Sequence, residues 1–247
     1  MKKKNDSVVS IQNFTMKFGD TTVVDNLSFD VRRGETFGLL GSNGSGKTTT
    51  IRSLLGIYRP TAGKLTIDGK PYRVDSGIKL GYLPEERGLY KKESVIDVMV
   101  YFGRLKGLSR EQSHDDSMAY LRRVQLEDKA KTRLDKLSGG QQQKVQLGIT
   151  ILGDPDLLIL DEPTKGFDPV NRRLLMSIIE DHQAKGATVI LVTHQMEEVE
   201  RLCDRIILLK DGKAAAYGTV KEVRKQHGDK SLDDIFITIY GGENDNA

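Results

Sequence analysis

Gly41-Ser42-Asn43-Gly44-Ser45-Gly46-Lys47-Thr48 carries chemistry that can be named from residue types alone, because it fits G-x-x-x-x-G-K-[ST] at every fixed position. Glycines at those places let the backbone turn so that successive N–H groups point inward at an anion. A helix that follows presents its positive end to the same charge. In such a loop Lys47 reaches the β- and γ-phosphates of a nucleotide and the Thr48 hydroxyl binds Mg²⁺; Thr49 belongs to the same candidate set. A flexible Gly/Ser turn with a surface lysine is the plain alternative. The strand pattern before the loop and the helix pattern after it argue against that.

Two apolar runs end in chemically useful groups. Leu157-Leu158-Ile159-Leu160 delivers Asp161-Glu162, and Thr188 to Val192 delivers Thr193-His194. In open α/β sheets ligands bind beyond the carboxyl ends of the strands. Asp161 is expected to hold Mg²⁺ directly or through water, and Glu162 to polarise the water that attacks the γ-phosphate. General-base help of this kind is worth roughly 10²–10⁴-fold. Alone, Asp161-Glu162 before Pro163 would read as a solvated pair opening a loop; the phosphate loop upstream favours the catalytic reading. His194 is the histidine placed to read a γ-phosphate, whereas His114, His182 and His227 sit in helical or polar contexts. No two histidines have metal-ligand spacing, so Mg²⁺ with nucleotide is the only metal expected. Ser138-Gly139-Gly140-Gln141 has the form of a capping box, with Ser at the N-cap and Gln at the third helical position. Two glycines beside a cap are costly for capping alone and make sense if backbone must approach an anion closely.

These groups need elements to position them. Val8 to Phe14, Val23 to Val31 and Lys64 to Asp68 read as strands, and Glu35 to Leu40 as the strand that enters the phosphate loop. Thr48 to Leu55 continues as a helix. From Ser94 to about Leu134, Val95, Val98, Met99, Phe102 and Leu105 recur at helical spacing, as do Tyr120, Leu121 and Val124, which predicts inserted helices. Val170 to Ala184 is an amphipathic helix with Leu174, Leu175, Ile178, Ile179 and His182 on one side. Ile206 to Leu209 and Ala214 to Tyr217 flank the hairpin signal Asp211-Gly212. Ser231 to Tyr240 reads as a terminal helix or a dimer contact, and Glu243 to Ala247 as a polar, disordered end.

Composition bounds the reading. The chain of 247 residues is long enough for one large α/β domain, and 37% hydrophobic with 30% charged residues describes a globular protein with a wet surface. No apolar run approaches the ~18 residues a membrane span requires. Met1-Lys2-Lys3-Lys4 is followed by Asn5-Asp6-Ser7, which is not a secretory signal but a solvated basic tail. Cys203 stands alone, so an internal disulfide or cysteine metal cage is excluded, and a net charge of +3 gives little reason to expect nucleic acid.

Phosphate loop, Leu137-Ser138-Gly139-Gly140-Gln141, apolar-Asp161-Glu162 and Thr193-His194, in that order, resemble the ATP-binding cassette (ABC) family over Val8 to about Tyr217. The resemblance implies an α/β fold: a P-loop NTPase core with a mixed parallel sheet, an N-terminal antiparallel β-subdomain and an inserted α-helical subdomain. One nucleotide-binding domain would fill the chain, with core 8–93 and 153–226, helices over about 94–152 and a tail at 227–247. It implies two cassettes meeting head to tail around two ATP molecules, each ATP lying between one copy's phosphate loop and Ser138, Gly139, Gly140 and Gln141 of the other. The family's base-stacking aromatic falls on Phe18, for which a buried strand-end residue is the other reading. Gly166-Phe167-Asp168 maps to the turn that links the two sites, and Asp168 before Pro169 also fits an ordinary N-cap.

Glu85 stands where the family usually has a glutamine that touches Mg²⁺ and the attacking water. A carboxylate there could ligate Mg²⁺ more strongly while adding negative charge beside the triphosphate. Lys165 and Phe167 replace a small residue and a leucine, as tolerated changes. The stretch from Tyr82 to Tyr90 is similar to the cassettes of bacterial drug- and sodium-exporting systems. The implied function is an ATP-hydrolysing subunit that couples closure of a cassette dimer to transport, in the export direction, by a separate multi-spanning permease. It would lie peripherally on the cytoplasmic face of the membrane, paired with a second copy or a related cassette. Leu89, Tyr90, Tyr101 and Phe102 are candidate contacts for the permease, in the groove that the family places between helical insertion and core; Tyr101 and Phe102 could equally be core. The rival is a soluble cassette ATPase of DNA repair, translation or iron–sulfur assembly. One cassette, no coiled-coil insertion and no basic face speak against it.

Overall fold

The computed structural model describes residues 7–241 except Val74, Ser76, Arg87, Leu89 and Lys91. The candidate contact Leu89, the lysines Lys2 to Lys4 and the end from Glu243 lie outside the described residues. The chain divides into two compact units, residues 1–78 with 188–247, and residues 79–187.

The first unit begins with β1 (Ser7–Phe18), β2 (Thr21–Arg32), β3 (Thr36–Gly41), α1 (Lys47–Leu54) and β4 (Ala62–Ile67). Along β2, Leu27, Phe29 and Val31 are buried while Ser28 and Arg32 are exposed, the period of a strand with one wet face. It pairs antiparallel with β1, which pairs antiparallel with β4.

The second unit contains β5 (Leu80–Leu83), α2 (Val95–Leu105), α3 (Arg110–Arg123), α4 (Gly139–Ile151), β6 (Leu157–Asp161) and α5 (Pro169–Ala184). The strands β5 and β6 are parallel, with Leu83 opposite Leu160. The helical spacing predicted along α2 is present, but its buried face is Val95, Val98, Met99 and Gly103. Leu105 is exposed and Phe102 only half-buried. The reason is close packing: a Cβ at Gly103 would stand 2.6 Å from Ser113 Oγ, so the helix turns its glycine, not its next aromatic, to α3. Residues Gln143 to Ile151 of α4 are buried throughout, polar side chains included. On α5 the predicted face is present with Met176 added to it, and Leu174 half-buried.

The chain then returns to the first unit as β7 (Thr188–Thr193), α6 (Met196–Leu202), β8 (Arg205–Lys210), β9 (Lys213–Thr219), α7 (Val220–Gln226) and α8 (Leu232–Gly241). The wholly buried β3 lies between β7 and β8, parallel to both. β9 returns antiparallel to β8 through Asp211 (φ 50°) and Gly212 (φ 74°), the left-handed pair that a tight two-residue hairpin requires. The architecture is therefore α/β, with a mixed sheet, an antiparallel β-subdomain and helices. Arg205 on β8 ties the two sheets of this unit together, donating to Glu35 at 3.0 Å and to Asp30 on β2 at 3.3 Å. Burial pushes the Asp30 carboxyl up, but hydrogen bonds from Arg205 and Tyr217 outweigh it and hold the group below its ordinary value. The segment from Ser231 to Tyr240, open between helix and dimer contact, is a helix whose Leu232 and Ile235 are buried in this unit's core.

Candidate functional site

In the first unit the parallel register of β7, β3 and β8 sets Leu40 opposite Thr193 and Gly41 opposite Leu209. The phosphate loop and His194 thus leave the sheet at one carboxyl edge, where open α/β sheets bind ligands. The loop needs its glycines. Gly41 (φ 151°) and Gly46 (φ 100°) adopt backbone angles that side chains disfavour, and a Cβ on Gly41 would lie 2.7 Å from the Leu209 carbonyl. Lys47 is buried, with Nζ donating to the carbonyls of Gly41 and Ser42, each at 2.8 Å. The first turn of α1 carries no acidic residue. The buried Ser45 hydroxyl has no hydrogen-bond partner among the described residues. An orphan donor, an ammonium resting on loop carbonyls and a helix N-terminus without acidic residues fit a phosphate chain.

Thr193 is buried; its hydroxyl donates to Glu198 at 3.1 Å and accepts from the Gln195 N–H at 3.1 Å. This turn leaves His194 exposed at the strand end. Of the other histidines, His114 is exposed, His227 half-buried and His182 buried on α5. Phe18 is 46% exposed at the end of β1, with Tyr58 edge-on at 5.5 Å, which overturns the reading of it as a buried strand-end residue. An exposed ring face is what base stacking requires.

In the second unit the exits of β5 and β6 lie side by side. Asp161 and Glu162 are buried there, and Glu162 holds φ 51°, a left-handed backbone rare outside glycine. Beyond β5, the Glu85 carboxylate accepts from Lys165 Nζ at 2.7 Å. Two of the three departures from the family pattern are therefore partners. The hydrogen bond and charge of Glu85 raise the Lys165 ammonium above its ordinary value. Oxygen donors such as Thr48, Asp161 and Glu85 suit a hard cation such as Mg²⁺.

The capping box is formed as predicted: the Gln141 N–H donates to Ser138 Oγ at 3.3 Å, and the Ser138 N–H to Gln141 Oε1 at 2.9 Å. Ser138 is exposed and Gly139 half-buried at the start of α4. Gly140 has a packing reason as well, because a Cβ there would stand 3.2 Å from the Phe167 ring. Asp168 caps α5, accepting from the N–H groups of Val170 and Asn171 at 3.0 Å, bonds that hold its carboxyl below the ordinary range.

Sequence reasoning missed Gln143 and Gln146. The Gln143 amide donates to the carbonyls of Glu162 (3.1 Å) and Pro163 (3.0 Å), and Gln146 to that of Glu86 (3.2 Å). One helix thus carries the signature at its start and grips the exits of both strands with its body. The available signal was a polar stripe, Gln143, Gln146 and Thr150, at helical spacing among Val145, Leu147, Ile149 and Ile151. Tyr90, Tyr101 and Phe102 cluster at 5.4–6.2 Å between ring centroids. Tyr90 and Tyr101 are exposed, so the core reading of Tyr101 is replaced by a surface one. They border a groove of about 430 Å³ with Glu93, Asp97 and Val98.

A family model described as "ABC transporter" matches residues 24–165. An uncharacterised ABC transporter ATP-binding protein of Methanocaldococcus jannaschii is 45% identical over 215 residues, 87% of this chain and 79% of that protein. The Nod factor export ATP-binding protein I of Rhizobium sp. (strain N33) is 38% identical over 237 residues, 95% of this chain and 77% of the relative. Among solved structures, an ATP binding subunit of an ABC transporter superposes with a TM-score of 0.85 at 30% identity, covering 94% of this chain and 99% of that one.

Proposed function

The chain belongs to the ABC transporter family, as an ATP-binding subunit that hydrolyses ATP, and on that premise we propose how its residues divide the work. Lys47 exchanges the carbonyls of Gly41 and Ser42 for β- and γ-phosphate oxygens, while the loop N–H groups from Gly44 to Thr48 and the Ser45 hydroxyl hold the rest of the chain of phosphates. Phe18 stacks on the base. Thr48 and Asp161 supply oxygen ligands for Mg²⁺, with Glu85 as a further one. Bound Mg²⁺ supplies charge neutralisation on the phosphates. Glu162 orients the attacking water and takes its proton, and His194 hydrogen-bonds the γ-phosphate.

Ser138 to Gln141 act on the ATP held by a second cassette, a copy of this chain or a relative, arranged head to tail. ATP closes that pair because the closed state binds nucleotide better, and hydrolysis releases it. The aromatic cluster of Tyr90, Tyr101 and Phe102 receives the multi-spanning permease, and the direction of transport is export, in keeping with the Nod factor export relatives. No helix among the described residues is long and apolar enough to cross a membrane, so the membrane path belongs to that partner. Attachment through it makes the subunit peripheral, on the cytoplasmic face.

The observation that carries this reading is the loop itself, where left-handed glycines, a buried lysine and an orphan hydroxyl occur within one short turn before a helix. The test of the transport role is recovery of a tagged chain from detergent-solubilised membranes. Co-purification with a multi-spanning protein is expected; recovery only with a soluble partner would favour the rival cassette ATPases.

A further inference from the structure

The carboxy-terminal helix reaches the phosphate loop. The Ser42 N–H donates to the Tyr240 hydroxyl at 3.0 Å, and that hydroxyl in turn donates to the Leu209 carbonyl at the end of β8. Leu209 is the residue opposite Gly41, and its carbonyl is the one that leaves no room for a Cβ there. A phenol both accepts and donates, so one oxygen ties the first turn of the loop to the strand beneath it. The Gly41–Ser42 peptide is thereby held from two directions: its N–H by Tyr240 and its C=O by Lys47, the residue that must turn to phosphate.

The position of that oxygen is set by the docking of α8. Leu232 and Ile235 are buried in a cluster that also contains Leu40, the residue before the loop. The ring of Phe236 lies 4.5 Å from that of Tyr240 one turn away, and Lys210 Nζ donates to the Ile239 carbonyl at 2.9 Å. A helix of ten residues has little stability of its own, so it keeps its place through these few contacts.

We propose that α8 is a positioning element for the phosphate loop: the Tyr240 hydroxyl fixes the Ser42 peptide in the orientation that receives nucleotide, so nucleotide affinity and docking of α8 rise and fall together. Tyr240 is a positioning residue, acting through the Ser42 backbone. The inference rests on the loop being the nucleotide site. By linkage, whatever factor a docked α8 adds to nucleotide affinity, bound nucleotide must add to the docking of α8.

The experiment is ADP binding by calorimetry to the full chain and to Tyr240→Phe, which keeps the ring and removes one oxygen. Wild-type binding first establishes that the chain takes nucleotide; its absence would overturn the reading of the loop and this one with it. With binding established, Tyr240→Phe should raise Kd about three- to tenfold, the range expected for loss of the bond that orients the Ser42 N–H. The kcat at saturating ATP should stay near wild type, and Tm should fall no further than in Ile235→Val while Kd rises only in Tyr240→Phe. Hydrogen exchange at residues 232–241 should slow on adding ADP in the wild type and respond less in Tyr240→Phe. Ile235→Val, which loosens the packing of α8 and leaves the oxygen, is the control. A Kd unchanged in Tyr240→Phe overturns the proposal, as does a Kd that merely tracks Tm across both variants.

Discussion

Glu162 combines a buried carboxylate with a left-handed backbone, a conformation that costs of order 1–3 kcal/mol and is tolerated where it aims a functional group. Glu162→Gln keeps the shape and removes the base. It should still bind ATP and hydrolyse it at least ~10²-fold more slowly, accumulating a nucleotide-bound dimer on size exclusion; undiminished turnover would remove Glu162 from its role. Glu85 and Lys165 make a second prediction at this scale. Both are partly exposed, so their ion pair adds little to stability, and its effect belongs in the metal dependence. Glu85→Gln should change the ATPase rate modestly and require more Mg²⁺ for half-maximal activity. Lys165→Ala, which releases the carboxylate, should require less. Overlaid Mg²⁺ titrations would show that Glu85 is not a ligand.

The element on which most depends is α4, and its far end is closed by the lysine that follows α2. Lys106 Nζ donates to the carbonyls of Ile149 and Thr150 at 2.6 Å and of Leu152 at 3.2 Å. Burial pushes its ammonium down to about 8, so it remains charged at neutral pH. Lys106→Met keeps the length and leaves those carbonyls unpaired, which should lower stability by about 2 kcal/mol in urea unfolding; an unchanged midpoint would mean that water replaces the ammonium. This contact also marks where sequence reading stopped. The loop, the capping box and the strand ends were legible because each is a contiguous pattern with a local physical cause. Lys106 and the Glu85–Lys165 pair depend on residues distant in sequence meeting through the packing of helices, and no local period encodes that; the period of Gln143, Gln146 and Thr150 marks a face but not the carbonyls it meets. Leu105 shows the same limit: helical spacing places it in α2, but Gly103 against Ser113 decides which part of that helix is covered.

Across the whole molecule, stability should fall with mild acid through His182. Its burial, with help from Lys185, lowers its pKa below the ordinary 6.5, against the opposing pull of Asp154. The unfolded chain therefore takes up a proton at this site before the folded one does. Stability from this group is full above about pH 6.5 and declines as pH falls through the window between the two pKa values. His182→Gln should reduce the drop in urea midpoint between about pH 7.5 and about pH 5.5; an equal drop would assign the acid sensitivity elsewhere. The grip of α4 on two strand exits has a consequence at this same scale. Because the helix capped by Ser138 also holds the backbone of Glu162 and Glu86, an event at its tip is mechanically continuous with the carboxylate to which we assign catalysis in its own copy. In a head-to-tail pair each subunit would then sense its neighbour's ATP through its own general base, so the two sites would fire as a cooperative unit, not as independent hydrolases.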